Sequence, residues 1–202
     1  MPEALAKLPV LDSFTAPEDP LSREGAWAPM WEVVGTGYIP PAGGWRSRDL
    51  YPKRTGAYWT PSFFVDEPSG VAVSSRVNAG PGIDGRYFSL WLDMEEPTTN
   101  RAGYELLFTW TGNNDYKVVL NVWSDIGPIP LGTVEDVVLP LGSDFALVDQ
   151  GSTVSAWVDA GAGYVRLISA GSTEWRGGYA GLLVSGVNTR LRRFAAGELP
   201  RT

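Results

Sequence analysis

Asp93 and Glu95 stand two residues apart in the segment Trp91-Leu92-Asp93-Met94-Glu95-Glu96. On an extended strand, positions i and i+2 share a face, so these two carboxyl groups point the same way. A pair of carboxyl groups roughly 5 to 5.5 Å apart is what retaining glycoside hydrolysis uses, one as nucleophile and one as acid. Any chemistry in this chain has to run on such groups, because its 202 residues include no histidine and no cysteine. That absence excludes histidine acid–base catalysis, serine–histidine triads, thiol nucleophiles and zinc sites of the nitrogen–sulfur type. It also removes disulfides, which a chain long enough to bury a sizeable core does not need.

Binding without chemistry would draw on the aromatic residues. Sugars are held by aromatic faces that stack on their CH-rich surfaces and by amide or carboxylate groups that fix hydroxyls. Nine tryptophans in an acidic chain make such platforms available. Trp91 beside Tyr87, with Asp93 and Glu95 on the same strand face, is one candidate platform; Trp45, Tyr58, Trp59 and Trp175 lie near loops and are the others. Core packing competes for the same residues. Trp110 shares a face with Leu106 and Phe108 and is assigned to the core, whereas Trp123 and Trp157 fall opposite valine-rich faces and suit either role.

The net charge of −7 argues against a nucleic-acid groove, since phosphate binding needs a basic surface. The basic residues form only short groups, Arg46 with Arg48 and Arg190 with Arg192 and Arg193, and neither is assigned a phosphate site. The first nine residues lack the basic and apolar regions of a secretory signal, and no apolar run approaches the ~20 residues of a membrane helix. Synthesis in a cytoplasm and no membrane insertion are therefore expected. Asn113, Asn114 and Asp115 carry oxygens suited to calcium, but a hairpin turn explains them equally well, so no metal or cofactor is expected.

The elements that must position these residues are strands. Glycine and proline are abundant, no long helical period is present, and apolar residues alternate in short runs. Residues 1–9, bracketed by Pro2 and Pro9, read as a loosely held arm that frays in solvent or docks on a partner. Residues 10–202 read as a single domain. A Pro- and Gly-rich meander runs from Thr15 to Arg54, with a brief strand at 30–34, and residues 62–65 form another apolar run. Val71, Val73 and Val77 share one face; Phe88, Leu90, Leu92 and Met94 share another, opposite Tyr87, Trp91, Asp93 and Glu95. Residues 104–110 and 116–123 form a hairpin about 112–115, 137–141 and 145–148 are short strands, and 152–159 with 164–169 form a second hairpin. A last strand pair is predicted within 177–194, split by a turn near Ser185-Gly186, with residues 10–14 pairing with its second member to close the domain. Strands this numerous predict an all-β, two-layer antiparallel β-sandwich.

Leu11-Asp12-Ser13-Phe14, Gly103-Tyr104-Glu105-Leu106, residues 154–161 around Asp159-Ala160, Gly177-Gly178-Tyr179 and Arg192-Arg193-Phe194 together resemble the concanavalin A-like, laminin G-like jelly-roll family. The resemblance covers nearly the whole chain. It is greatest to stand-alone jelly rolls of tailed bacteriophages infecting actinobacteria, regarded as minor tail or other virion surface proteins. Bacterial glucanases share that fold and resemble one another in a strand of the pattern Glu-x-Asp-x-(x)-Glu. Here Asp93 and Glu95 fill two places, but Trp91 stands where the first glutamate belongs.

The resemblance therefore implies a non-enzymatic virion structural protein on a lectin-like jelly roll, made in the host cytoplasm and located on the phage tail or capsid surface. Other virion proteins are its implied partners, and host cell-surface carbohydrate is a candidate partner. A homo-oligomer and a monomer docked on another protein both remain open. The alternatives are a carbohydrate-binding lectin module independent of a virion and a glucanase-type hydrolase.

Overall fold

The computed structural model describes residues 1–30, 33, 35–47, 54–61, 70–79, 86–99, 102–113, 115–172, 174–175 and 177–199. Among these residues one short helix, α1 (Pro2–Ala6), precedes thirteen strands: β1 (Val10–Asp12), β2 (Trp27–Pro29), β3 (Arg54–Trp59), β4 (Val71–Ala79), β5 (Tyr87–Met94), β6 (Gly103–Gly112), β7 (Asp115–Ser124), β8 (Gly127–Val138), β9 (Asp144–Gln150), β10 (Thr153–Asp159), β11 (Val165–Gly171), β12 (Tyr179–Ser185) and β13 (Arg190–Glu198). They form two antiparallel sheets, a six-stranded one in the order β1-β13-β4-β9-β10-β11 and a seven-stranded one in the order β2-β3-β12-β5-β6-β7-β8. This is the two-layer sandwich that the sequence predicts.

Period-2 alternation explains the layering. On β7, Tyr116, Val118, Leu120 and Val122 are buried between the sheets, while Lys117, Val119, Asn121 and Trp123 lie on the outer face. Val71, Val73 and Val77 of β4 enter the same core, and Phe88, Phe108 and Phe145 meet there at 5.0 Å, with Phe145 reaching across from the other layer. Such aromatic contacts add about 0.5–1.5 kcal/mol each beyond area burial. Trp110 packs edge-on to Tyr116 at the margin of this core.

Three sequence expectations are revised. The last two apolar segments are not a hairpin: β12 lies between β3 and β5 in one sheet, and β13 lies between β1 and β4 in the other. Gly186 and its neighbours cross between layers. The predicted closure does form, with Val10 opposite Ala195 and Asp12 opposite Phe194. The second revision is β8, a twelve-residue strand of which the apolar pattern predicts only the end. Its Pro128 and Pro130 suit an edge strand, where no further strand needs their missing N–H groups.

The third is the arm. Leu5 and Leu8 are buried against Ala72, Ala146, Val148, Ala195 and Leu199 on the outside of the six-stranded sheet, so residues 1–9 are packed rather than frayed. Small residues make the furrow: a Cβ on Gly197 would lie 3.1 Å from the Pro9 ring. Part of the expected strand at 30–34, the run at 62–65 and Asn114 lie outside the described residues.

Candidate functional site

The outer face of the seven-stranded sheet carries a cross-strand row that sequence order hides. Tyr58 of β3 is in register with Gly181 of β12, Gly181 with Trp91 of β5, Trp91 with Glu105 of β6, and Glu105 with Asn121 of β7. The neighbouring positions Leu183 and Leu107 share this face, because side chains two apart on a strand point the same way. Tyr87, Trp91, Leu107, Trp123, Leu183, Glu105 and Arg54 line a pocket of about 110 Å³.

Glu105 is the chemical centre of this pocket. Its Oε2 accepts hydrogen bonds from Asn121 Nδ2 at 3.1 Å and from Trp123 Nε1 at 2.8 Å. Ser89 also donates to the carboxylate, and Trp91 Nε1 donates to Ser89 Oγ at 2.9 Å, which links both tryptophans to the same acid. Burial pushes the Glu105 carboxyl above the usual carboxylate range; the hydrogen bonds from Trp123, Asn121 and Ser89, and then the Arg54 charge, oppose that rise. The Trp91 and Trp123 rings lie 5.6 Å apart. Trp91 is only 1% exposed and acts as the floor, whereas Tyr87 and Trp123 are half-buried and form the walls.

One end of the face is roofed. A Cβ on Gly181 would come within 2.9 Å of the Met94 methyl and 3.3 Å of the Met30 sulfur, and one on Gly56 would meet Met30 and Val33 at 3.2 Å. Met94 reaches this face because Asp93 adopts φ +57, which breaks the alternation that would otherwise send Met94 inward with Phe88, Leu90 and Leu92. Tyr58 and Tyr179 pack edge to face at 5.2 Å beside it, and burial, followed by the Tyr179 charge, raises the Tyr58 phenol.

The structure separates the eight residues singled out from sequence. Tyr58, Tyr87 and Trp91 lie on this outer face. Trp59 turns inward onto Trp27 and Phe194, one register position away from Tyr58. Trp45 is fully buried, stacks on Phe14 and donates Nε1–H to the Thr36 carbonyl, so it offers no face to a ligand. Trp175 is half-buried, and its Nε1–H caps the Trp123 carbonyl at 2.7 Å. Asp93 is fully buried at the bulge, whereas Glu95 is exposed. Neither lines the pocket, so the carboxylate pair suggested by spacing is not assembled there; Glu105 is the one carboxylate among the described lining residues.

Glu105, Asn121 and Arg54 are the residues that sequence reasoning missed; Trp123, which it left open between core and platform, joins them in the pocket. A signal was present: Glu105 and Asn121 are polar residues flanked by apolar neighbours on the two arms of the hairpin about 112–115, and antiparallel pairing from that turn places them opposite each other.

No family model matches the chain, and no curated protein matches it. Solved structures do. The carbohydrate-binding module CBM66 from Bacillus subtilis superposes with a TM-score of 0.60 at 11% identity, over 88% of this chain and 99% of that one. The exoplasmic/lumenal domain of VIP36 in its Ca²⁺/Man-bound form gives 0.64 at 11% identity, over 91% and 89%. The legume lectin-like domain from Entamoeba histolytica gives 0.60 at 10% identity, over 92% and 98%. At such identities the likeness establishes the fold, a lectin-like jelly roll spanning nearly the whole chain.

Proposed function

We propose that this protein binds carbohydrate without turning it over, at the Glu105 pocket on the outer face of the seven-stranded sheet. The observation that carries this reading is the buried Glu105 carboxylate held by Asn121, Trp123 and Ser89 beside an aromatic wall. A sugar presents a CH-rich face and a hydroxyl-rich edge, and this pocket pairs Trp123 and Tyr87 with Glu105 and Arg54 in the matching way. Adjacent strands lie ~4.8 Å apart, so the row from Trp91 to Asn121 spans about 10 Å, room for one or two sugar rings. The lectin-like neighbours support the reading at the level of fold.

Catalysis is not part of the proposal, because both hydrolytic geometries need a second carboxylate facing the same sugar ring. The proposed setting is a phage particle surface, as the sequence resemblance implies. Mass spectrometry of purified particles tests that setting, and absence from them would leave a stand-alone binding module. For the binding itself, a glycan array followed by calorimetry on the hits should give saturable binding, weakened at least tenfold in Trp123→Ala and in Glu105→Gln. Binding that both variants retain, or none to any glycan, would overturn the reading.

A further inference from the structure

The opposite face of the molecule carries a second, basic site. On β13, Leu191 and Phe194 both enter the core, so the two residues between them must both leave it. A bulge achieves this: the register shifts between Arg192 and Ala195, and Arg193 adopts φ +57. Arg192 and Arg193 thus project together from the outside of the six-stranded sheet, with Arg76 of β4 in register with Arg192 and Arg190 two residues before it, beyond a second register shift between Arg190 and Leu191. A non-glycine residue in the left-handed region costs on the order of 1 kcal/mol, and this chain accepts it where it gathers guanidinium groups.

Among the described residues, two carboxylates accompany these four arginines. Asp144 binds Arg76 through two hydrogen bonds of 2.7 Å and Arg193 through one of 3.2 Å, which fixes both. Asp159, in register with Asp144, is held by the Gly161 and Gly163 amides. Arg192 donates to the Ala42 carbonyl at 3.0 Å, and Arg190 has no carboxylate partner among the described residues. The Nε–H groups of Arg190, Arg192 and Arg193 are buried without an acceptor among the described residues. These Nε–H groups are closed to a ligand, so recognition falls to the Nη–H groups, whose charge-assisted hydrogen bonds to an oxyanion are roughly twice as strong as neutral ones.

We infer that this face binds an anionic glycan, through sulfate or carboxylate oxygens seated on Arg190 and Arg192 over the frame of Arg76, Arg193 and Asp144. Arg190 and Arg192 are about 7 Å apart along the strand, a separation that charges on successive sugar rings can match. The net charge of −7 repels any long polyanion, nucleic acid and glycan alike, so a short acidic oligosaccharide is the ligand to test. This site is independent of the Glu105 pocket, which lies on the other sheet.

Calorimetry with a sulfated hexasaccharide, an oligogalacturonate and neutral maltohexaose, at matched ionic strength, tests the inference. Expected is saturable binding of at least one acidic oligosaccharide and none of the neutral one. Affinity should fall at least tenfold in the Arg190→Ala/Arg192→Ala double variant, with a shallower dependence on log salt because two charge contacts are gone. Trp123→Ala should leave this binding intact, and the double variant's unchanged thermal midpoint should show that it folds. No binding of either acidic oligosaccharide, equal binding of maltohexaose, full affinity in the double variant, or tighter binding of oligodeoxythymidine in a parallel titration would each overturn the inference.

Discussion

At Glu105 the proposed recognition is set against stability in one side chain. Burial holds its carboxyl above the ordinary range, so the folded protein keeps that proton to higher pH than the unfolded chain does. From the unfolded value, about 4.3, up to the folded one, the native state binds more protons and stability falls as pH rises. Glu105→Gln removes this dependence, so its stability advantage over wild type should grow as pH rises through the window, measured by urea unfolding at a series of pH values. Parallel curves for the two proteins would show that the carboxyl titrates normally. The same variant should bind sugar more weakly, because hydrogen bonds to a charged acceptor contribute about 1.5–3 kcal/mol. Stability and affinity would therefore move in opposite directions, which distinguishes a binding residue from a merely structural one.

At the scale of elements, α1 and the chain through Pro9 behave as part of the six-stranded sheet. Leu5 is completely buried against the alanine-lined furrow, so Leu5→Ala should cost about 2 kcal/mol, the low end for such a truncation because a peripheral arm can settle into the space. A shifted urea midpoint with an unchanged slope is the expected result; an unchanged midpoint would mean that the arm contributes nothing. The entry to β12 is equally constrained. Gly178 has φ +156, and a Cβ there would lie 2.5 Å from the Asp93 carbonyl carbon and 2.7 Å from the Met94 amide nitrogen. Gly178→Ala should therefore destabilise by about 2 kcal/mol or more, towards the upper end for strained backbone positions. It should also disturb the roof of the Glu105 pocket, since the displaced atoms belong to the bulge that presents Met94.

For the whole molecule, β13 joins β1 near the start of the chain to β4, and a single core runs between the sheets. Neither sheet can bury its inner face alone. Thermal unfolding followed by tryptophan fluorescence and by far-ultraviolet circular dichroism should then coincide in one transition. Two separated transitions would show that the sheets melt independently. Truncation before β13 should abolish the folded state, because it leaves β4 unpaired on one side and removes Leu191, Phe194 and Ala196 from the core. The two proposed ligand faces lie on opposite layers, so a variant that empties one should leave the other working.

Much of this architecture is legible in the chain itself. Period-2 alternation in β4, β6, β7 and β10 dictates strands with one apolar face, and two strongly marked hairpins dictate antiparallel pairing. The absence of histidine and cysteine fixes which chemistries are excluded, and it does so without any fold. The pairing of β1 with β13 also follows from matching apolar rhythm at the two ends. What tertiary structure alone decided is which side chains meet. Tyr58 and Trp59 are chemically similar neighbours, yet one register position sends the first to the outer face and the second into the core. Trp91 and Glu105 come from adjacent strands, while Tyr58 and Gly181 in the same row lie more than a hundred residues apart in the chain. Local pattern encodes the face that a residue prefers; the partners across a sheet depend on strand order and bulges, which the packing of two layers around one core selects.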